Sequence, residues 1–121
     1  MNGDNSVMKQ GDVEALRENL SAPGSLIAAI VQDRSSKEVL MLAWMNREAL
    51  DLTLATKKAT FWSRSRQEIW IKGETSRNSL HIHEFRYDCD ADAILLLADA
   101  AGPACHTGET SCFHFELPLS E

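Results

Sequence analysis

The amino-acid sequence predicts an α+β domain of mainly antiparallel strands with a few short helices. Apolar runs of strand length follow one another along the chain, separated by short polar turns. Apolar residues at helical spacing occur in two short stretches. Strands that are neighbours in sequence usually pair antiparallel, and 121 residues suit one domain, 1–121. We expect the mostly polar residues 1–11 to be flexible.

Each predicted element begins or ends at a recognisable signal. Asp12 and Asn46 are typical helix N-caps, and Pro23 follows the end of the first helix. In the segment 80–87 the apolar alternation changes parity, which predicts a bulge near Glu84. The predicted helices cover 12–20 and 46–56, and the predicted strands cover 26–32, 39–45, 61–62, 68–71, 80–87, 93–98 and 112–117.

Composition and charge exclude several cellular locations and classes of partner. The net charge is −6 and basic residues form no stripe, which disfavours a nucleic-acid partner. No apolar run approaches the roughly 20 residues that cross a bilayer, and the N-terminus lacks the layout of a secretory signal. We therefore expect a cytoplasmic protein with no membrane partner. In that compartment an odd number of cysteines indicates metal ligation or a reactive thiol rather than disulfides.

Three carboxylates alternate with other residues at the end of the predicted strand 80–87. In an extended segment Asp88, Asp90 and Asp92 would share one face and Cys89 would project from the other. Crowded carboxylates repel each other unless a cation neutralises them, and oxygen ligands are typical of Mg²⁺ or Ca²⁺ sites. The alternative is a solvated acidic turn, which is the commoner origin of such clusters.

The other two cysteines flank a glycine-containing loop. Cys105 and Cys112 could converge on one zinc ion, although their spacing is wider than in most zinc fingers, or could be small buried hydrophobes. With Cys89 they would supply three thiolates and leave a fourth zinc position for His106 or for water. A fourth protein ligand makes the site structural. A water makes it catalytic, with His106 the nearest candidate base to take its proton.

Basic and hydroxyl side chains cluster around the second predicted hairpin. Arginine forks, hydroxyls and a glycine-containing loop suit phosphate oxygens, and the alternative is a solvated hairpin tip. The candidate phosphate-binding residues are Ser63, Arg64, Ser65, Arg66, Lys72, Glu74, Thr75 and Ser76.

The remaining histidines and the tryptophans are assigned ordinary roles. His81 and His83 share a strand face, where we expect them to be exposed or paired with nearby carboxylates. His114 is expected to be a packed or surface residue of the last strand. The tryptophans are expected to pack in the core: Trp44, Trp62 and Trp70.

Four motifs in this order resemble the phosphoribosyl-AMP cyclohydrolase family. They are Trp62-Ser-Arg-Ser-Arg66, Trp70-Ile-Lys-Gly-Glu-Thr-Ser76, Asp88-Cys-Asp-Ala-Asp92 and Ala104-Cys-His-Thr-Gly-Glu-Thr-Ser-Cys-Phe113. The hairpin strand 39–46 is similar as well, and the likeness runs from about residue 26 to 113. Each motif alone is weak, whereas the ordered set is specific. Arg77 stands where the family pattern has glycine.

The resemblance implies an intertwined homodimer with active sites at the subunit interface. It implies zinc bound by the three cysteines, with Cys89 contributed across the dimer, and magnesium bound by Asp88, Asp90 and Asp92. The implied reaction is metal-dependent hydrolysis of the N1–C6 bond of the adenine ring in phosphoribosyl-AMP, a step of histidine biosynthesis. A ribosyl group on N1 leaves C6 electron-poor, and the two phosphates of this small-molecule substrate suit the basic residues.

Two other functions fit parts of the sequence. A zinc-dependent nucleoside or base deaminase performs a similar attack, but its P-C-x-x-C motif is absent, because no second cysteine follows Cys105 by three residues. A non-catalytic zinc-stabilised binding module would use His106 as the fourth ligand and would unfold without zinc. That module leaves the acidic triplet and the basic residues without a role.

Overall fold

The computed structural model describes residues 8–73, 80–100, 102–105 and 107–119. The described residues form two helices and six strands, which confirms the predicted α+β class. In chain order these are α1 Val13–Asn19, β1 Ile27–Asp33, β2 Val39–Met45, α2 Arg47–Thr56, β3 Thr60–Ser63, β4 Glu68–Ile71, β5 Leu80–Tyr87 and β6 Ala93–Ala100. Neither helix has the length and apolar character needed to span a membrane.

Four strands form one sheet in the order β2-β1-β6-β5, and β3 and β4 form a separate hairpin. Adjacent strands pair antiparallel, as predicted, with one exception: β1 and β6 are parallel. Parallel neighbours need a long connection, and the chain between β1 and β6 supplies it with β2, α2, β3, β4 and β5. The sheet therefore places the end of β5 and the start of β6 beside the start of β1.

One face of the four-stranded sheet forms the core. Apolar residues at alternate positions of three strands are buried and opposite one another, as expected for a sheet with one covered face. The α2 helix adds Ala49 and Leu50, and β3 adds Phe61, all fully buried. The buried residues of the three strands are Ile27, Ala29, Val31, Met41, Ala43, Met45, Ile94, Leu96 and Ala98.

The bulge predicted near Glu84 is confirmed. The register of β5 against β6 shifts between Ile82 and Glu84. Ile82 is buried before the shift, whereas Phe85 and Tyr87 pack against the core after it. The extra residue, His83, changes which parity of side chains faces inward. Both halves of β5 thus bury their apolar residues.

Side chains cap both helices, as predicted. Asp12 accepts a hydrogen bond from the Glu14 N–H at 3.0 Å, and Asn46 accepts one from the Ala49 N–H at 2.9 Å. Each bond satisfies an N–H that the first turn of a helix leaves unpaired. Lys57 is the C-cap of α2; it adopts a left-handed φ of 62° and donates its N–H to the Thr53 carbonyl.

The strand predicted over 112–117 does not form. The Cys112 N–H donates to the Leu40 carbonyl at 2.7 Å, after which residues 113–119 leave the sheet with no ladder partner among the described residues. Alternating apolar residues predict an extended backbone, but a strand also needs a neighbour to bond. Here the chain provides none at that position.

Replacing Thr53 by Val is expected to lower the free energy of unfolding by about 2 kcal/mol. The Thr53 hydroxyl lies in the core, accepts the Thr60 N–H at 3.1 Å and donates to the Thr60 carbonyl at 3.2 Å. Valine keeps the shape but leaves both backbone groups buried without this partner. Thr56→Val is the control in the same urea titration, because Thr56 is exposed. Equal losses in both variants would contradict the assigned role.

Candidate functional site

The acidic residues lie in a tight turn between β5 and β6. The Asp88 N–H donates to the Ala93 carbonyl at 3.1 Å, the Ala91 N–H donates to the Asp88 carbonyl at 3.0 Å, and Ala91 has a φ of 58°. The expectation of an extended segment is therefore wrong, because two antiparallel strands require the chain to reverse here. The carboxylates of Asp88, Asp90 and Asp92 still converge, with one oxygen of each within 4.8 Å of the others.

Local hydrogen bonds shape the acidic turn. The Asp88 carboxylate accepts the N–H groups of Asp92 and Ala93 at 3.0 and 3.1 Å. The Asn19 amide, at the end of α1, donates to the Asp90 carbonyl at 3.0 Å. One carboxylate oxygen of Asp88 is thus occupied by backbone N–H groups, and a hydrogen bond from Asn19 holds the turn against the end of α1. Sequence reasoning missed Asn19, since a lone asparagine at a helix end carries no such signal.

Crowding of the carboxylates disturbs their ionisation. Hydrogen bonding to Asp90 and to Asp88 raises the pKa of Asp92 to about 6. Desolvation acts to raise the pKa of Asp88, but the N–H groups of Asp92 and Ala93 outweigh it and hold that pKa below its usual value. Three exposed carboxylates whose oxygens converge in this way are a donor set suited to a hard divalent cation.

Cys105 and Cys112 lie close enough for each thiol to shift the pKa of the other. Cys105 is buried and Cys112 is exposed. The Thr107 hydroxyl donates to the Cys105 sulfur at 3.1 Å, and its side-chain and backbone hydrogen bonds lower the pKa of the Cys105 thiol. Partial desolvation of its sulfur, followed by the charge of Cys105, raises the pKa of the Cys112 thiol although the residue as a whole is exposed. One thiol therefore ionises more readily than usual, and its charge disfavours ionisation of the other.

A closed loop brings these two cysteines together. The Cys105 N–H donates to the Glu109 carbonyl, and the Gly108 N–H donates back to the Cys105 carbonyl. Gly108 adopts a φ of 95°, which glycine permits at little cost. The Ser111 hydroxyl anchors the loop to the sheet by donating to the Val39 carbonyl at 2.6 Å. The loop so formed explains how a wide sequence spacing still gives adjacent thiols.

Cys89 lies far from the other two cysteines. The Leu40 carbonyl, which accepts the Cys112 N–H, lies in β2 at the same height in the sheet as Leu96 and Leu97 in β6, with β1 between them. Cys89 lies in the turn before the first residue of β6, toward the other end of the sheet. With about 3.3 Å per residue along a strand and about 4.8 Å between strands, Cys89 and Cys112 are at least roughly 15 Å apart. Two thiolates on one zinc ion are about 4 Å apart. The fold of one chain therefore does not gather the three cysteines.

The β3–β4 hairpin carries the basic residues beside an aromatic cleft of about 560 Å³. The Arg64 guanidinium lies 4.8 Å from the centre of the Trp44 ring. Ser63 and Ser65 line the same cleft, with their hydroxyl oxygens 3.4 Å apart. Trp44, Trp62 and Trp70 all line it and are partly buried. The expectation that they pack in the core is confirmed for Trp70, whose ring lies 5.0 Å from that of the buried Phe61. It is wrong for Trp44 and Trp62, which are not among the described side chains packed against the core cluster.

A second cleft, of about 350 Å³, adjoins the first through Trp70, which lines both. Arg66, Lys72 and Cys112 line this second cleft. The hairpin therefore connects the aromatic cleft to the thiol pair. Four of the predicted phosphate-binding residues lie in the tip of this hairpin: Ser63, Arg64, Ser65 and Arg66.

Lys72 contacts the thiol loop directly. Its ammonium group donates to the Ala104 carbonyl, immediately before Cys105, and its N–H donates to the Ala59 carbonyl. Its described partner is thus part of the loop that holds the thiols. Four other predicted site residues, Glu74, Thr75, Ser76 and the candidate base His106, lie outside the described residues, as does Arg77.

If the Cys105–Cys112 pair binds zinc, replacing Lys72 by Met is expected to weaken that binding by about tenfold, since partners that orient metal ligands contribute on this scale. The loss of its bond to the Ala104 carbonyl frees the loop that aligns Cys105 and Cys112. Competition with a chromophoric chelator measures the affinity. Lys58→Met serves as the matched control, because Lys58 is exposed, pairs with His81 of β5 and does not line this cleft. Equal zinc affinity in the two variants would contradict the role of Lys72.

The remaining histidines have the ordinary roles expected for them. His83 lies 2.7 Å from the Asp99 carboxylate, and its ring is in edge contact with that of His81. His114 is exposed, with its ring nitrogen 2.9 Å from the Ser111 carbonyl. Thr107 is a second side chain that sequence reasoning overlooked, because its contact with the Cys105 thiol depends on the loop closing.

Comparison with known proteins places the chain in a family. The family model for phosphoribosyl-AMP cyclohydrolase matches residues 41–114. The chain is 56% identical over 99 residues to a phosphoribosyl-AMP cyclohydrolase from Mycobacterium tuberculosis, covering 82% of this chain and 85% of that protein. It is 53% identical over 96 residues to the Nocardia farcinica enzyme of the same name, covering 79% and 84%. The chain belongs to the phosphoribosyl-AMP cyclohydrolase family.

Proposed function

We propose that this protein hydrolyses the N1–C6 bond of the adenine ring in phosphoribosyl-AMP and so opens the purine ring in histidine biosynthesis. Family membership supports this reaction over a deaminase or a zinc-stabilised binding module. The structural observation that carries it is the aromatic cleft beside Arg64, which shares Trp70 with the cleft of the Cys112 thiol. Aromatic rings, an arginine fork and thiol ligands thus lie within reach of one nucleotide.

Zinc is the proposed metal at the thiol pair. Adjacent thiols, one of them with a lowered pKa, suit a soft divalent cation with tetrahedral geometry. When bound, zinc would supply Lewis-acid activation of a water molecule for attack on C6. Cys105, Cys112 and Cys89 would hold it, and His106 would take the proton from that water as general base.

Magnesium is the proposed cation at the acidic turn. The convergent oxygens of Asp88, Asp90 and Asp92 fit a hard cation that accepts carboxylate ligands. Three carboxylates this close repel one another when all are ionised, and a divalent charge relieves that repulsion. A magnesium ion there would also attract a substrate phosphate, because the ion keeps positions open for other oxygen ligands.

The proposed assembly is a homodimer with the active site between the protomers. Cys89 lines one cleft with residues 8–11 and the end of β5, whereas Cys112 lines another with Trp70 and Lys72. The distance between them within a chain is far too long for a common zinc ion. A second copy that sets its Cys89 against the Cys105–Cys112 pair would complete the site, and twofold symmetry then forms two such sites. The same turn would bring the magnesium ligands to the substrate.

The phosphates of the substrate would be held by the β3–β4 hairpin. Arg64 and Arg66 are exposed and positively charged, and the hydroxyls of Ser63 and Ser65 lie 3.4 Å apart in the same hairpin tip. The predicted loop residues Glu74, Thr75 and Ser76 would extend the same surface. The three described free cysteines accord with a proposed cytoplasmic location, where thiols stay reduced.

An absorbance assay of purine-ring opening tests the proposed function. Purified protein would be stripped of metal, then assayed on phosphoribosyl-AMP alone, with zinc, with magnesium and with both. Turnover is expected with both metals and none without zinc. Ammonia release from adenosine or cytidine, measured in parallel, separates ring opening from deamination. A folded, metal-replete protein that opens no ring would overturn the proposal.

Replacing Arg64 by Met is expected to raise the KM for phosphoribosyl-AMP by about tenfold with little change in kcat, the pattern of lost uniform binding. Methionine keeps much of the aliphatic stem but removes the charge that lies over Trp44. Steady-state kinetics measure both constants. Arg34→Met is the control, since Arg34 is half exposed beside Asp99 on the four-stranded sheet. A fall in kcat alone would assign Arg64 to the chemical step instead.

A further inference from the structure

Residues 113–119 carry apolar side chains that the chain itself leaves in water. They follow Cys112 outside the described helices and strands, and every second residue is apolar and exposed. A single exposed apolar residue is ordinary, but four at alternate positions, which would share one face if the segment became a strand, indicate an interaction surface. The exposed fractions are 62% for Phe113, 91% for Phe115, 85% for Leu117 and 92% for Leu119.

We propose that residues 113–119 add as a strand to the outer edge of β5 in a second copy of this chain, which does the same in return. This inference rests on the proposed function, which sets Cys112 and the partner's Cys89 on one zinc ion. Two thiolates on a zinc ion are about 4 Å apart. The segment that follows Cys112 would therefore begin beside the turn that ends the partner's β5.

β5 is an edge strand of the sheet, and only its first half is covered. The Ile82 N–H donates to the Lys57 carbonyl, and the Leu80 carbonyl accepts the Ala59 N–H. Beyond Ile82, none of the described residues bonds to the outer backbone edge of β5. Edge strands with free N–H and C=O groups accept an added strand.

In the half of β5 beyond Ile82, some backbone N–H and C=O groups point away from β6, as pairing with an added strand requires. The Asp88 N–H points inward to the Ala93 carbonyl of β6. Because backbone groups alternate between the two edges of a strand, those of Phe85 and Tyr87 point outward. Their rings meanwhile pack against the core. An incoming strand would thus find hydrogen-bonding groups beside an apolar surface.

A cleft of about 560 Å³ runs along this half of β5. Residues 8–11 form one wall, and Phe85, Tyr87 and Cys89 form the other. Lys9 also lines the cleft, as does Arg86, whose guanidinium pairs with Glu84 at 2.7 Å. In a strand the added segment would carry Glu116 on the side opposite its apolar residues. Apolar rings within the cleft and the Lys9 ammonium at its border complement an apolar strand with one carboxylate.

Geometry favours pairing between copies over pairing within one chain. Seven extended residues span about 23 Å, which matches the stretch of β5 beyond the bulge and the turn after it. Within one chain the segment would first cross at least roughly 15 Å from Cys112 to its own β5, and few residues would remain to pair. In the added strand, the backbone groups of even-numbered residues would point to the outer edge, opposite those of the odd-numbered residues. Pro118 has no N–H to donate at that edge, which limits the addition of a further strand.

Photo-cross-linking of the full chain tests the pairing. p-Benzoylphenylalanine at position 115 would be activated in a mixture of ¹⁴N- and ¹⁵N-labelled protein with zinc, and the cross-linked peptides would be located by mass spectrometry. We expect links between mixed isotopes that end in residues 83–89. Links within one chain, links to another surface, or no intermolecular link in a sample that sediments as a dimer would each overturn the inference.

A pair of variants measures the contribution of the segment to the dimer. Phe115→Ser with Leu117→Ser is expected to raise the dimer dissociation constant by at least about tenfold. The conservative pair Phe115→Leu with Leu117→Ile keeps the apolar face and should stay close to the wild-type value. Sedimentation velocity with zinc measures both. Equal dissociation constants for the two pairs would overturn the inference.

Failure of this inference and failure of the proposed function are distinguishable. An active, dimeric wild-type protein whose cross-links lie elsewhere leaves the ring-opening reaction intact and removes only the strand exchange. A dimer that cross-links at residues 83–89 but opens no purine ring retains the strand exchange and removes the reaction. A protein that forms no dimer with zinc overturns the exchange, and the turnover assay alone then decides the reaction.

Discussion

Replacing Cys112 by Ser is expected to abolish stoichiometric zinc binding and to lower kcat/KM by at least about a thousandfold, because zinc activation of water is lost. A hydroxyl binds zinc far more weakly than a thiolate does. Cys112 is exposed and makes its described backbone bond through its N–H, so the fold should persist. Atomic-emission analysis of bound zinc and the ring-opening assay measure the two effects.

The same loss is expected for Cys89→Ser, although Cys89 lies in another cleft of the chain. Each variant alone would be inactive. Mixing the two variants allows heterodimers to form. In each heterodimer, one of the two sites combines the intact Cys89 of the Cys112→Ser protomer with the intact Cys105 and Cys112 of the Cys89→Ser protomer. With random pairing, about a quarter of the wild-type activity per site should return. No recovery after documented subunit exchange would contradict a site shared between protomers.

Replacing Asp90 by Asn is expected to lower kcat/KM by about a hundredfold at the magnesium concentration that saturates the wild type. The change removes one negative charge from the three convergent carboxylates. It leaves intact the Asp88 carboxylate, which accepts the N–H groups that shape the turn. The effect should therefore arise from the cation and not from a rearranged backbone.

A magnesium titration of the Asp90→Asn variant checks this cause. Weakened cation binding moves the activation curve to higher magnesium concentration, with partial recovery at the end of the titration. Asp99→Asn is the matched control, because Asp99 is an exposed carboxylate of β6 that faces His83. Wild-type magnesium dependence in the Asp90 variant would remove the acidic turn from the proposed mechanism.

Local signals predicted most of the fold because they act over a few residues. Asn46 and Asp12 cap their helices, and the parity change in β5 marked its bulge, since a cap or a bulge depends on neighbours in sequence. The parallel pairing of β1 with β6 was not predictable in this way. It joins strands that are far apart in the chain, and apolar alternation does not specify the neighbour of a strand.

The sequence by itself determined the α+β class, the family and the types of donor at the site. Thiols, carboxylates and arginines have the same chemistry in any fold, so their identities alone indicate zinc, magnesium and phosphate. Only the tertiary structure decided where these donors lie. It brought Cys105 and Cys112 together through a closed loop, folded the aspartates into a turn, opened the tryptophans to a cleft and left the apolar side chains of residues 113–119 exposed. Each of these outcomes depends on how distant segments pack against one another, and residue spacing along a chain does not encode that directly.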